Sequence, residues 1–294
     1  EYLKEGRTRW SFDQAGFVWA SKIGNDTDLR YMNFGFNYHK RANFNRQMHG
    51  KMNLNGLSVT SQMASMALNS GLLKTENDVN KLFDSQNPYT SQDYWGLPYL
   101  GAMGLRTGFN KEFGTDDYVS AGLVDYATDN NGNVTDMFGW NASDGEYYAR
   151  EEGGISQFDF NIAFNVRDRF YFGATLGVYD LNFNRYSSYG ENLFNDATED
   201  GKAYHDEGSL TLNNWYRADG TGVDFKMGFI VRPFEYSPFR IGFAVNTPIW
   251  YSLTDKYTST LNASLNIDSK NHGIVSGTST ENLSDYLKPQ YVFD

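Results

Sequence analysis

The fold class this sequence predicts is all-β, a transmembrane antiparallel up-and-down β-barrel, and three observations predict it. Side-chain character alternates with a period of two over long runs. Aromatic residues and glycine dominate: 22 Phe, 21 Tyr, 6 Trp and 29 Gly stand against only 6 Pro, a mixture that favours strands over helices. Connections between the alternating runs read as short and long by turns, as in a barrel with tight turns on one rim and surface loops on the other. The 294 residues lack cysteine altogether, which excludes a disulfide framework, thiolate metal sites and a thiol nucleophile. A formal charge of −11 argues against a nucleic-acid surface. Mean hydropathy is −0.59, and no run nears the roughly 18–20 apolar residues of a spanning helix. That excludes a helical membrane protein but not a barrel, whose strands show lipid only every second residue.

Taken in order, a strand is predicted around 10–23, then the turn Gly24-Asn25-Asp26-Thr27-Asp28. A second strand follows over 29–45, with Met32, Phe34, Phe36 and Tyr38 alternating with Asn33, Gly35, Asn37 and His39. Beyond a long insertion, Phe158, Phe160, Ile162, Phe164 and Val166 alternate with Gln157, Asp159, Asn161, Ala163 and Asn165. After Arg167-Asp168-Arg169, Phe170, Phe172, Ala174, Leu176 and Val178 continue the pattern. Val223, Phe225, Met227, Phe229 and Val231, against Asp224 and Lys226, lead to the turn 233–238 and to Phe239, Ile241, Phe243 and Val245. Each apolar face holds about five matched residues, enough for strands of about 9–11 tilted residues to cross hydrocarbon. Tyr and Trp at strand ends (Trp10, Trp19, Tyr31, Tyr147, Tyr148, Trp215, Tyr216, Tyr236, Trp250, Tyr251) suit an aromatic belt. Long loops are expected at 46–145, 188–206 and 269–285. The chain divides accordingly into barrel strands 1–45, an extracellular insertion 46–145 with short helices, and barrel strands 146–294.

Within the insertion, Val59, Met63, Met66 and Ala67 repeat at helical spacing up to Gly71, and Thr75-Glu76-Asn77-Asp78 caps a second helix bearing Val79, Leu82 and Phe83. The methionine-rich stripe reads as a packed lid, or as a greasy contact for a ligand or partner. Catalytic motifs are absent, and His39, His49, His205 and His272 are scattered. No catalytic residues, cofactor or metal are expected. Asp129 to Asp136 faintly resembles a calcium loop, but a hairpin on Asn131-Gly132 explains it more simply. Glu151 and Glu152 are neighbours whose side chains point to opposite faces of a strand, so they make no acid–base pair. Pro248 falls inside a strand-like run, where it would break pairing and kink the wall, unless the strand has already risen above the membrane there. The start Glu1-Tyr2-Leu3, which has no leader, and the end Tyr291-Val292-Phe293-Asp294, which reads as the start of a strand, suggest a piece of a longer protein.

Four runs carry a family likeness: Asn33 to Asn45, Asp168 to Val178, Gly222 to Pro233 and Phe239 to Pro248. They resemble the walls of FadL-type outer-membrane transporters for hydrophobic compounds, in particular divergent members from some Gram-negative bacteria, over roughly 10–50 and 146–294. The insertion has no counterpart in the resemblance. What the resemblance implies is a fourteen-stranded barrel, about seven strands of it in this chain, with an N-terminal plug and a kinked strand that opens the wall sideways.

The expected function is therefore passive uptake of hydrophobic small molecules such as fatty acids through the Gram-negative outer membrane. The partners would be outer-membrane lipid and the cargo, with other outer-membrane proteins as further candidates. Asn33, Asn37, His39, Asp159, Asn161, Asn165, Asp224 and Lys226 are placed in the lumen. Two rivals remain: the same barrel as a scaffold or partner-binding subunit of a surface or secretion complex, and a soluble secreted glycan binder.

Overall fold

A computed structural model describes residues 11–114, 117–199, 201–283 and 291–293. Ten strands form one antiparallel sheet. They are β1 (Gln14–Lys22), β2 (Leu29–Asn43), β3 (Arg46–Asn53), β8 (Asn141–Val166), β9 (Phe170–Glu199), β10 (Lys202–Val231), β11 (Ile241–Asn246), β12 (Trp250–Ser269), β13 (Gly273–Asn282) and β14 (Tyr291–Phe293). The main path runs β1-β2-β8-β9-β10-β12-β13, a meander of neighbours in chain order once the insertion is set aside. β3 continues β2 along β8, and β11 precedes β12 along β10. The described sheet is open, with β1 and β3 at one edge and β11, β14 and β13 at the other.

Two of the three expected long loops are strand. β9 and β10 are each 30 residues long and meet at a tight turn around Gly201, so 188–206 is a hairpin end. β12 and β13 are joined through 270–272, so 269–285 is mostly strand as well. At ~3.3 Å per residue β9 extends about 100 Å, roughly three times the length that crosses a membrane. The insertion is also shorter than expected, because β3 and the first residues of β8 are paired strands of the sheet.

The reason lies in which face is greasy. Residues directly opposite in an antiparallel ladder share a face. Along the lower sheet one face carries the rows Tyr38–Phe158–Val178–Val223, Phe36–Phe160–Leu176–Phe225 and Met32–Phe164–Phe172–Phe229. Phe160, Phe172 and Phe225 are 50%, 48% and 37% exposed, so no second layer of the described chain covers them. From Phe158 to Val166 this greasy run stands about 20 Å tall at a strand tilt of about 40°. One row higher the same face becomes polar: Ser156–Asp180–Thr221–Ser252, then Gly154–Asn182–Asp219–Thr254. The opposite face does the reverse, polar below and carrying Leu193, Leu210, Leu212, Leu261, Ala263 and Leu265 above. β8 and β9 stay in register from Asp144 to Val166, so the inversion is one of composition and not of backbone.

The insertion packs on that upper apolar face. It contains α1 (Val59–Asn69), α2 (Glu76–Asp84), α3 (Tyr99–Arg106) and the hairpins β4 (Gly108–Glu112) with β5 (Tyr118–Gly122) and β6 (Val124–Thr128) with β7 (Val134–Gly139). Met63, Ala67, Val79, Leu82, Met103 and Leu105 are buried against the sheet leucines. Thr75 and Asp78 close the expected capping box on α2, and Gly71 (φ +66°) follows α1. Asn131-Gly132 forms the β6–β7 turn, in which Asp129 Oδ1 accepts from the Asn131 and Asn133 backbone. Of the methionine stripe, Met63 and Ala67 are core, while Met66 is only half-buried.

Candidate functional site

The lower polar face gathers a charged belt across four strands. Asp159 on β8 and Asp224 on β10 both pair with Gly177 of β9, one from each side. A Cβ at Gly177 would sit 2.0 Å from Asp224 Oδ1 and 3.3 Å from Asp159 Oδ1, so only glycine lets both carboxylates lean over it. Lys226 Nζ lies 3.5 Å from Asp159 Oδ1 and 3.4 Å from Asp224 Oδ2. The buried Tyr179 hydroxyl donates to Asp224 Oδ2 (3.0 Å) and accepts from Arg41 Nη1 (3.2 Å). Gln157 Nε2 donates to Asp159 Oδ1 (2.8 Å), and Thr175 Oγ1 donates to Asn161 Oδ1 (2.5 Å). Two cations face two carboxylates, so the belt is polar yet close to neutral. It presents hydrogen-bonding groups to water or solute rather than a net field.

Above the belt the same face turns aromatic and aliphatic. Tyr179 and Tyr251 lie 6.0 Å apart, and Phe183 meets Phe44 edge-on at 5.4 Å and Tyr216 at 5.9 Å. Ile155, Leu181 and Leu253 share this half-buried patch. Higher still the insertion is latched to the wall. Glu191, 3% exposed, accepts from Ser58 Oγ (2.6 Å), Val59 N (2.9 Å) and Tyr189 OH (2.6 Å), so a β9 carboxylate caps α1. Burial, with the Glu191 carboxylate beside it, pushes the Tyr189 phenol up. Arg106 pairs with Glu281 of β13 (2.9 Å) while its Nη1 donates to the Leu82, Phe83 and Ser85 carbonyls.

Of the residues placed in the lumen from sequence, Asp159, Asn161, Asp224 and Lys226 meet in the belt. Asn37 is opposite Asp159, and Asn33 lies two rows nearer the turn. His39 sits one row above the belt carboxylates, exposed, opposite Gln157. Asn165, next to last in β8, turns its side chain to the β8–β9 turn: it accepts from Asp168 N (3.1 Å) and donates to Asp168 Oδ1 (2.8 Å), holding Arg167 and Asp168 at φ +54° and +57°. Period-two placement missed Arg41, Tyr179 and Gly177, which do as much to build the belt. The signal for Gly177 was a glycine on the polar face between two aspartates.

Pro248 does interrupt the strand: β11 ends at Asn246 and β12 begins at Trp250, beside Asp224. The break is bridged, because Thr247 N donates to Phe225 O (3.0 Å) and Thr247 Oγ1 accepts from Phe225 N (2.9 Å). Of the aromatic-belt candidates, Trp250 pairs with Val223 in the top greasy row, but Trp19 pairs with Phe34 in mid-band, and Tyr148 and Trp215 lie well above. Trp10 falls outside the described residues. Glu151 bonds Arg46 while Glu152 pairs with Arg150, on opposite faces. Among the described residues no group of three or more His, Asp or Glu is placed to hold a metal. No family model matches the chain, and neither a curated protein nor a solved structure does.

Proposed function

We propose that the chain forms part of the wall of an outer-membrane β-barrel, of the FadL type it resembles, that passively takes up hydrophobic small molecules such as fatty acids. The observation that carries this reading is the inversion of the sheet. A greasy band about 20 Å tall matches the ~25 Å apolar belt of outer-membrane barrels, and its reverse side is polar where a lumen would lie. Above it the outer face is wet, and the inner one is roofed by a latched insertion. The aromatic patch between roof and belt would capture an apolar solute at roughly 25 cal/mol per Å² of area removed from water. The belt below would then turn the solute aside. The bridged break at Thr247-Pro248, next to Asp224, is the site at which the wall would release it laterally. Closure of the fourteen-stranded barrel that the resemblance implies would join β1 to the edge made by β11, β14 and β13. The test is fractionation and uptake with the full-length protein. The reading expects extraction only with detergent, heat-modifiable gel migration, and loss of fatty-acid uptake on deletion. Extraction without detergent contradicts it.

The latched roof also favours the scaffold reading, because a lid tied by Glu191 and by Arg106–Glu281 is a folded platform rather than a swinging loop. Unchanged uptake on deletion, with the insertion buried against another chain in a purified complex, would select that reading.

A further inference from the structure

On the outer face above the greasy band, four strands build an open cleft of about 610 Å³. Its floor is aromatic: Tyr148 and Tyr186 lie 6.1 Å apart and Tyr186 and Trp215 5.1 Å apart, with Trp215 56% exposed. Around this floor stand Arg150, Arg217 and Lys256, with Glu152, Asn184 and Thr258 between them. Arg150 pairs with Glu152 and Arg217 with Asp219, whereas Lys256 makes no ion pair among the described residues. The cleft therefore combines one uncommitted cation, two cations in exposed pairs worth little by themselves, and an exposed aromatic plane.

Height selects the ligand. The row Glu152–Asn184–Arg217–Lys256 stands six residues above the top greasy row along each strand, and Arg150–Tyr186–Trp215–Thr258 stands eight above it. At ~3.3 Å per residue and a tilt of about 40°, these rows sit about 15–20 Å beyond the hydrocarbon edge. Phospholipid headgroups reach only about 5–7 Å past that edge. A lipid in the same leaflet contacts the cleft only if its headgroup is much taller, and sugars joined to the lipid supply that height. Sugar rings offer C–H faces to Trp215 and Tyr186 and hydroxyls to Glu152, Asn184 and Thr258. Phosphates on such a headgroup suit Arg150, Arg217 and Lys256.

We propose that this cleft binds the phosphorylated carbohydrate headgroup of a glycolipid in the leaflet around the barrel. The proposal rests on the membrane reading of the greasy band. The test uses full-length protein extracted in detergent, as wild type and as Trp215→Ala and Lys256→Gln. Sugar and phosphate are assayed in the purified protein, before and after incubation with purified rough lipopolysaccharide or with phosphatidylglycerol. The wild type should retain lipopolysaccharide, each variant at least five-fold less, with heat-modifiable migration unchanged in all three. Equal retention by wild type and both variants overturns the proposal, and so does displacement of the glycolipid by equimolar phosphatidylglycerol, which lacks sugar. If the protein extracts without detergent, the membrane reading itself has failed. If it is membrane-bound but retains no glycolipid, only the cleft proposal has.

Discussion

At Gly177 a missing side chain is what allows Asp159 and Asp224 to share Lys226. An alanine there would drive its methyl into Asp224 Oδ1, which in this packed position costs about 1–3 kcal/mol. Lys226→Met should cost about 3–5 kcal/mol, because it leaves the Asp224 carboxylate, 4% exposed, without its cation. Both are read as a lowered midpoint of heat-modifiable migration. Lys226→Met unfolding at the wild-type midpoint would remove the belt from the account. At the far rim, the Asp196 hydrogen bond, with its charge and that of Glu207, lifts His205 above its ordinary 6.5. A raised folded value means that the pair's stabilisation is complete below 6.5 and fades as pH rises through the raised value. Proton NMR should place the His205 midpoint above 6.5 and return it towards 6.5 in Asp196→Asn. Equal midpoints in the two proteins would contradict the pairing.

The elements show where sequence was readable. Phe158 to Val166 and Phe170 to Val178 announce themselves because every second residue is large and apolar. The Thr75–Asp78 box and the Asn131-Gly132 turn are local chemistry and read equally well. The upper half of β9 did not, because Ser187, Asn192 and Asp196 look like loop until Tyr189 and Leu193 are seen to answer Leu212 and Gly208 across the ladder. α3 was missed for the opposite reason: Tyr99-Leu-Gly-Ala-Met-Gly-Leu is buried nearly all round, so it has no polar face to mark a period. Its glycines serve close packing, since a Cβ at Gly104 would lie 2.9 Å from Met63. At α1 the local cap is Ser58, whose Oγ accepts from Thr60 N, but the Glu191 carboxylate that completes it is invisible to local reading because it comes from over a hundred residues away. Glu191→Gln should loosen the roof by about 1–2 kcal/mol. Limited proteolysis should then cut within 54–140 several-fold faster while the wall stays intact. Unchanged cleavage would mean that the roof is held by packing alone.

For the molecule as a whole, one change of character organises everything: the face that is greasy in the lower sheet turns polar above, and the face that is polar below turns apolar above and is covered by the insertion. Period-two reading found the lower half of that statement and, from the residues on its polar face, most of the belt. The upper half hid because the alternation carries on with its meaning reversed. Since the chain has no cysteine, single cysteines can be spin-labelled one at a time along Gln157 to Val166 and Tyr179 to Leu193 in reconstituted full-length protein. Collision rates with lipid-soluble oxygen and a water-soluble nickel chelate then report what each side chain touches. The account predicts oxygen maxima at Phe158, Phe160, Ile162 and Phe164, replaced above Ser156 by chelate maxima at Asp180, Asn182 and Asn184 on the same face. Shielding of Phe160 and Phe164 from oxygen, or the absence of alternation below Ser156, would contradict it.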